Sequence, residues 1–478
     1  MGWTEPPEIL TFLFLPSPGV RFQQVVVGGL GPIRDTPHSD CGLADPPRVW
    51  QTTRMHRCLA LMTLGCLLPA TAEDWPRFRG PTGQGLSAER HLPREWTAER
   101  GIAWKVEIPG DGWSSPILWG DRLFVTTATA ANTQCRVLCL ERATGNVLWN
   151  TLVTEIVPLR KESKNSYASP TPVTDGTQVY VAFGDGTLAA LDFAGRVVWK
   201  NQEVRFYSRH GLGASPLLHE GLVIMPFDGS NRVEKAGEWP NNSTEEQLGW
   251  RVPWDQAQVV AFDARTGERR WTGKRGKSRI SHVSPNVVVV DGSPQIVSPA
   301  GDAIQGFDPK NGERLWSVYS QGEGVTPSFA HGDGLIFTSS GFEKTTLRTV
   351  RAGGKGDVTA THVAWEQRKG TPTQPSLLYL SPHLYSITDG GIVHCYDGKT
   401  GEVVYAERVG GNHSASPVYA DGLIYFLSES AETTVVKAGP KFEIVARNPL
   451  DEKCQASIAI SDGRLFLRTE KHLYCIGK

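Results

Sequence analysis

Apolar residues along most of this chain come in short runs, each cut off by a turn rich in Gly, Asp or Pro. Leu123-Phe-Val-Thr126, Val179-Tyr-Val-Ala182, Leu335-Ile-Phe-Thr338 and Leu423-Ile-Tyr-Phe426 are such runs. The turns ahead of them are Gly120-Asp121, Asp175-Gly176, Gly332-Asp333 and Asp421-Gly422, and Asp291-Gly292 is another of the kind. Runs of about four to eight β-branched and aromatic residues bounded by turn formers predict strands and not helices.

The strands belong to a repeat. Cys139-Leu-Glu141-Arg-Ala-Thr-Gly145-Asn-Val-Leu-Trp149 is followed by Ala190-Leu-Asp192-Phe-Ala-Gly195-Arg-Val-Val-Trp199. Then come Ala261-Phe-Asp263-Ala-Arg-Thr-Gly267-Glu-Arg-Arg-Trp271, Gly306-Phe-Asp308-Pro-Lys-Asn-Gly312-Glu-Arg-Leu-Trp316 and Cys395-Tyr-Asp397-Gly-Lys-Thr-Gly401-Glu-Val-Val-Tyr405. Each phrase reads as strand, tight turn and returning strand: Asp and Thr bond turn amides, and Gly supplies a positive φ. The closing aromatic is a flat apolar plate suited to packing between sheets. A second phrase precedes the copies: Ser115-Pro116, Ser169-Pro170, Ser215-Pro216, Ser284-Pro285 and Ser416-Pro417, with Thr326-Pro327 and Pro375-Ser376 as degenerate forms.

Units of roughly 40–50 residues holding four short strands predict propeller blades. Closing aromatics fall at Trp149, Trp199, Trp271, Trp316, Trp365 and Tyr405. A seventh unit runs from Ser416 to near Val445 without its Trp, and an eighth begins at Ala456-Ser457 and stops after three strands. Its missing strand is Ile102-Ala-Trp104-Lys-Val106, which stands alone ahead of the first Ser-Pro. The expectation is therefore an all-β, eight-bladed β-propeller of four-stranded antiparallel blades, the last closed by an N-terminal strand. That closure removes both exposed sheet edges.

Composition agrees and narrows the function. The 51 Gly and 32 Pro among 478 residues argue against a helical bundle or coiled coil, and an apolar share of 39% argues against disorder. Length alone would suggest about three domains; the repeat turns residues 73–478 into one. Lys and Arg number 49 against 50 Asp and Glu, so no basic field exists to gather nucleic acid or an anionic membrane.

Ahead of the repeats, residues 55–72 combine Met-His-Arg, a short apolar run and Ala70-Thr71-Ala72, which reads as a secretory signal peptide cleaved after Ala72. The run is too short to span a bilayer in the mature protein. Residues 1–54 show no sustained period and are expected to be a spurious or disordered extension, with Met55 the true start. A lipoprotein signal would place Leu three residues before Cys66, where Thr63 stands. The mature protein is expected to be periplasmic or secreted, and a monomer. Five Cys remain after residue 72: Cys135, Cys139, Cys395, Cys454 and Cys475. Cys135 and Cys139 sit about 13 Å apart on one strand, beyond disulfide reach. Cys139, Cys395 and Cys475 share a repeat position with Ala190, Ala261 and Gly306, and read as small fillers rather than redox groups.

The phrase Ala-x-Asp-x-x-Thr-Gly-x-x-x-Trp resembles the repeat of the PQQ-like (pyrroloquinoline-quinone repeat) propellers, fully at residues 261–271 and nearly so elsewhere. Trp75-Pro-Arg-Phe-Arg-Gly80 is similar to the Trp-Pro lead-in of that superfamily. The resemblance implies either a quinoprotein dehydrogenase with PQQ and Ca²⁺ on the axis, or a cofactor-free scaffold of the outer-membrane protein assembly factor type. The dehydrogenases carry an adjacent Cys-Cys pair and long roofing insertions, and neither is present here. No nucleophile motif or metal-spaced pair stands out. The favoured reading is an exported, non-enzymatic scaffold with no cofactor, binding a protein in the cell envelope or a small ligand at the channel mouth. A small PQQ-dependent dehydrogenase and a periplasmic ligand or carbohydrate-associated sensor are the alternatives.

Segments just before each Ser-Pro should gather at one channel mouth. They offer Trp113, Tyr167, Arg209, His210, Arg279, His282, Glu323, Gln374, Asn412, His413 and Glu452-Lys453 as ligand-binding candidates. The bland alternative is solvated loop residues. Three His from separate blades raise the thought of a metal, but nothing in their spacing fixes one, and no metal is expected. The third unit carries an insert around Asp228–Asp255 with Trp239, Trp250 and Trp254, a partner-docking loop or a loop burying its own Trp. Lys274-Arg275-Gly-Lys277-Ser-Arg279 is the one basic cluster, read as a solvated loop in preference to an anion dock. Gly353-Gly354-Lys355-Gly356 reads as a hairpin tip.

Overall fold

The computed structural model describes residues 73–478 apart from 159–160, 205, 207, 209, 229–256, 277, 321–325 and 342–344. Eight antiparallel sheets follow one another along the chain. Blade 1 runs Ile117–Trp119, Arg122–Thr129, Gln134–Glu141 and Val147–Glu155. Blades 2 to 7 repeat this order from Val173–Thr174 to Ile444–Asn448. The first strand of each blade is short and the last has its outer face in solvent, as at Val403–Arg408.

Blade 8 is split, as the lone Trp strand predicts. Ile102–Glu107 pairs antiparallel with His472–Ile476, placing Trp104 opposite Cys475. A polar cluster fastens this seam. Glu452 accepts hydrogen bonds from Lys105 Nζ (3.0 Å), Thr469 Oγ1 (2.6 Å), Tyr474 Oη (2.6 Å) and His472 Nδ1 (2.8 Å). Burial pushes this carboxyl up, but the bonds from Thr469, Tyr474, His472 and Lys105 outweigh it and hold it down at about 2.

The repeat phrase explains how blades adhere. Its small residue sits opposite the closing aromatic: Cys139 faces Trp149, Ala190 faces Trp199, Ala261 faces Trp271, Gly306 faces Trp316 and Cys395 faces Tyr405. The plate then reaches the next blade's turn. Trp149 Nε1 donates to Phe193 O (2.9 Å), Trp199 to Ala264 O (2.8 Å), Trp271 to Pro309 O (2.9 Å), Trp365 to Gly398 O (3.0 Å) and Trp104 to Arg142 O (3.0 Å). Trp316 departs from the rule and donates to Gln295 Oε1. The turn Gly lies flat on the ring: a Cβ on Gly267 would come within 2.5 Å of Trp199, and its φ is +74°. The acidic residue shapes the same turn. Asp192, Asp263, Asp308 and Asp397 each accept amides two to four residues on. Hydrogen bonding by the Thr400 amide lowers the Asp397 carboxyl.

A second device joins the blades nearer the axis. The amide of Ser115 donates to Thr171 Oγ1, Thr171 to Ser215, Ser215 to Ser284, Ser284 to Ser328, Ser328 to Ser376, Ser376 to Ser416, Ser416 to Ser457, and Ser457 back to Ser115. Eight hydrogen bonds thus close a circle. The Ser-Pro phrase marks it, with two corrections of register: the members in blades 2 and 5 are Thr171 and Ser328, not Ser169 and Thr326.

Two further expectations are corrected. Arg275 is not solvated: its side chain is 0% exposed and forks onto Asp228 through Nε (2.6 Å) and Nη2 (3.1 Å). Arg279, from the same cluster, pairs with Asp302 at 2.6 Å. Packing against Ser298 of the next blade removes the Arg275 side chain from water, and Asp228 offsets the cost of burying its charge. The Gly353–Gly356 tip also holds more than a turn: Gly356–Asp357 adds a fifth, parallel strand to the outer edge of blade 4, on Trp316–Ser317. The five Cys are free and buried, and burial pushes the Cys395 thiol up to about 12.

Candidate functional site

The channel has two ends, on either side of the Ser/Thr circle. Residues preceding the circle form one mouth and contain the sequence candidates. His210 and His282 meet edge-on, ring centroids 6.0 Å apart. His282 Nδ1 has no hydrogen-bond partner among the described residues. Burial, then the proximity of His210, pulls this imidazole down to about 3, so it stays neutral at physiological pH. Tyr167 is buried, and its carbonyl accepts the Gly184 amide. Trp113 is half-buried beneath Lys453, whose ammonium lies 5.7 Å from a ring centroid.

Other candidates have structural duties. His413 is buried with Nδ1 3.0 Å from Leu427 O and Nε2 2.9 Å from Gly410 O, which takes it out of any shared histidine site. Asn412 is exposed, and its carbonyl accepts the Glu429 amide. Arg279 is held by Asp302. Arg209 and Glu323 lie outside the described residues, as do Trp239, Trp250 and Trp254 of the proposed docking loop.

The chain also crosses this mouth. Lys164, on the connection between blades 1 and 2, pairs with Glu429 of blade 7 at 2.7 Å. Its neighbour Asn165 donates to His210 O (2.7 Å) beside blade 3. Ser414 donates to Gln374 Oε1 and to Glu429. Residues 161–167 are thus a strap from the connection of blades 1 and 2 to blade 7 on one side and to the connection of blades 2 and 3 on the other. Sequence reasoning missed Lys164, Asn165 and Glu429, because no local pattern reports a contact between residues 265 positions apart.

The opposite end is stopped by the lead-in. Residues 73–87 bond to seven of the eight blades. Trp75 and Leu118 exchange backbone bonds (3.0 and 2.9 Å), and Thr174 donates to Pro76 O. Asn286 donates to Thr82 O, and the His331 amide to Gln84 Oε1. Tyr419 donates to Gly85 O, and Ser461 to Glu73 O. Arg79, only 1% exposed, donates to Leu377 O, to Gln84 O (2.8 Å) and to Phe329 O. Arg77 donates to Asn286 Oδ1 (2.6 Å). Burial pulls these guanidinium groups down, Arg77 to about 10 and Arg79 to about 9; both stay charged, but at a cost. Trp-Pro-Arg-Phe-Arg was visible as a lead-in, while its place across the channel was not.

Among the described residues no group of three or more His, Cys, Asp or Glu is placed to hold a metal ion. The lead-in stands across the axis, and a cavity beside it measures about 10 Å³.

Comparison with known proteins agrees with this architecture. BamB from Moraxella catarrhalis superposes with a TM-score of 0.54 at 13% identity, over 79% of this chain and 97% of that one. The computationally designed Ika8 protein gives 0.51 at 10%, over 83% and 99%. Both likenesses concern the fold alone. A stretch of 161 residues is 23% identical to methanol dehydrogenase [cytochrome c] subunit 1 of Paracoccus denitrificans, 32% of this chain and 23% of that one. The chain therefore spans less than a quarter of that curated relative's length. Residues 95–235, 250–363 and 354–440 match a family profile, well over half of the chain. The chain belongs to the PQQ-like family described as outer membrane protein assembly factor BamB.

Proposed function

We propose that the protein is an exported, non-enzymatic propeller that binds protein partners as a scaffold of the cell envelope. The observation that carries this reading is that the chain itself occupies both ends of its channel. The lead-in stops one end, and the 161–167 strap crosses the other. Partners are then left the loops and the outer rim, where Val147, Leu148, Val197 and Val198 are exposed on adjacent blades. Family membership supports the same reading. Residues 55–72 would direct export and be removed after Ala72. Among the described residues no helix is long and apolar enough to cross a membrane.

The short match to methanol dehydrogenase favours a second reading, a small quinoprotein dehydrogenase. Photo-cross-linking from rim and loop positions in the intact envelope separates the two. Discrete protein adducts are expected. No adduct from any position, together with dye-linked alcohol oxidation on adding PQQ and Ca²⁺, would overturn the scaffold reading.

A further inference from the structure

The lead-in carries positive charge into the channel without a counter-charge. Among the described residues neither Arg77 nor Arg79 has a carboxylate within 4.0 Å. The contrast with Arg275, which is as buried as Arg79 and takes Asp228 in a two-pronged bond, is direct; Arg77 is half-buried. Arg79 spends its N–H groups largely on carbonyls. Arg77 does not: Nη2 meets Asn286 and Nε lies 3.4 Å from Gly80 O, while Nη1 has no partner among the described residues.

Beside Arg77 is the cavity of about 10 Å³, bounded by Asn286, Phe329 and three members of the Ser/Thr circle, Ser215, Ser284 and Ser328. Arg77 is its one ionisable lining residue. Each of the three hydroxyl oxygens already accepts a neighbouring amide: Ser215 from Thr171, Ser284 from Ser215 and Ser328 from Ser284. What each Ser still has to offer is its O–H proton. Arg77 and three Ser that can each still donate a hydroxyl proton thus line a space with room for one water-sized occupant. Donors without acceptors around an uncompensated cation are the complement of an anion.

We propose that this cavity binds one small inorganic anion of the halide class, chloride being the probe, held by Arg77 and the hydroxyls of Ser215, Ser284 and Ser328. The anion neutralises the lead-in and fastens it to the circle of blades 3, 4 and 5. The inference is independent of the scaffold reading.

Thermal unfolding of the full chain in sodium chloride and in sodium gluconate at equal ionic strength tests it. At a hundredfold excess over Kd the expected gain in chloride is about 3 °C. Arg77→Gln should abolish that gain, and Arg77→Lys should weaken it. Crystals of the unaltered protein grown in bromide should show an anomalous peak between Arg77 and Ser284, a readout that does not depend on any variant folding. Equal melting in both salts with no peak in the cavity would overturn the proposal. So would a chloride gain that survives Arg77→Gln, which would place the ion elsewhere.

Discussion

Replacing Glu452 by Gln should weaken the seam at which the two ends of the ring meet. In the native state its carboxylate takes bonds from Lys105 on the N-terminal strand and from His472 and Tyr474 on the C-terminal one. A carboxyl moved from the ordinary 4.5 down to about 2 contributes about 3 kcal/mol of stability at neutral pH. The side chain keeps 16% of its surface in solvent and Lys105 keeps 41%, so screening trims this to about 2 kcal/mol. A ring of roughly 400 residues unfolds with an entropy near 0.8 kcal/mol/K, so Glu452→Gln should melt about 2–3 °C lower at pH 7. The sign follows from the depressed carboxyl. Its contribution is complete above pH 4.5 and is lost as pH falls toward 2, so at pH 3 only roughly 40% of the gap should remain. Scanning calorimetry of both proteins from pH 7 to pH 3 reads this directly. Identical melting at pH 7, or a gap that does not narrow with acid, would refute the assignment of the seam to this carboxylate.

Three other expectations follow from the blade contacts. Gly267→Ala should cost about 2–3 kcal/mol by urea unfolding, since its Cβ meets Trp199 at a positive φ; Gly221→Ala, at a similar φ with nothing within 4 Å, should cost only about 1. Ser284→Ala removes the acceptor of the Ser215 amide and should destabilise by about 1–3 kcal/mol, with Ser284→Thr restoring most of it; an unaffected midpoint for the Ala variant would remove the circle's energetic role. The thiols of Cys139, Cys395, Cys454 and Cys475 should ignore Ellman's reagent at pH 8 until the ring unfolds, and labelling of the native protein would contradict their burial.

The blades were legible because each is built from neighbours in sequence. Turn Gly, capping Asp and closing Trp lie within a dozen residues, and their spacing alone predicts strand, turn and strand. The split blade was legible too, since Ile102–Val106 repeats the closing strand with no blade of its own ahead of it. What escaped has sequence-distant causes. Ser169 and Thr326 fit the local phrase as well as Thr171 and Ser328 do, and only the position of the next blade chooses between them. Arg275 looked like part of a solvated basic run, because Asp228 is 47 residues away. The mouth candidates were grouped correctly in so far as His210 and His282 meet, but His413 is absorbed by backbone carbonyls and the strap residues carry no motif.

The split blade also sets a schedule for synthesis. Trp104 waits for Cys475, about 370 residues later, which at ordinary translation speeds is roughly 20–70 s. Throughout that interval the first strand and the growing edge both offer unpaired backbone groups. A chain that stops early never covers them, so the same seam that completes the ring marks every incomplete copy for chaperones and proteases.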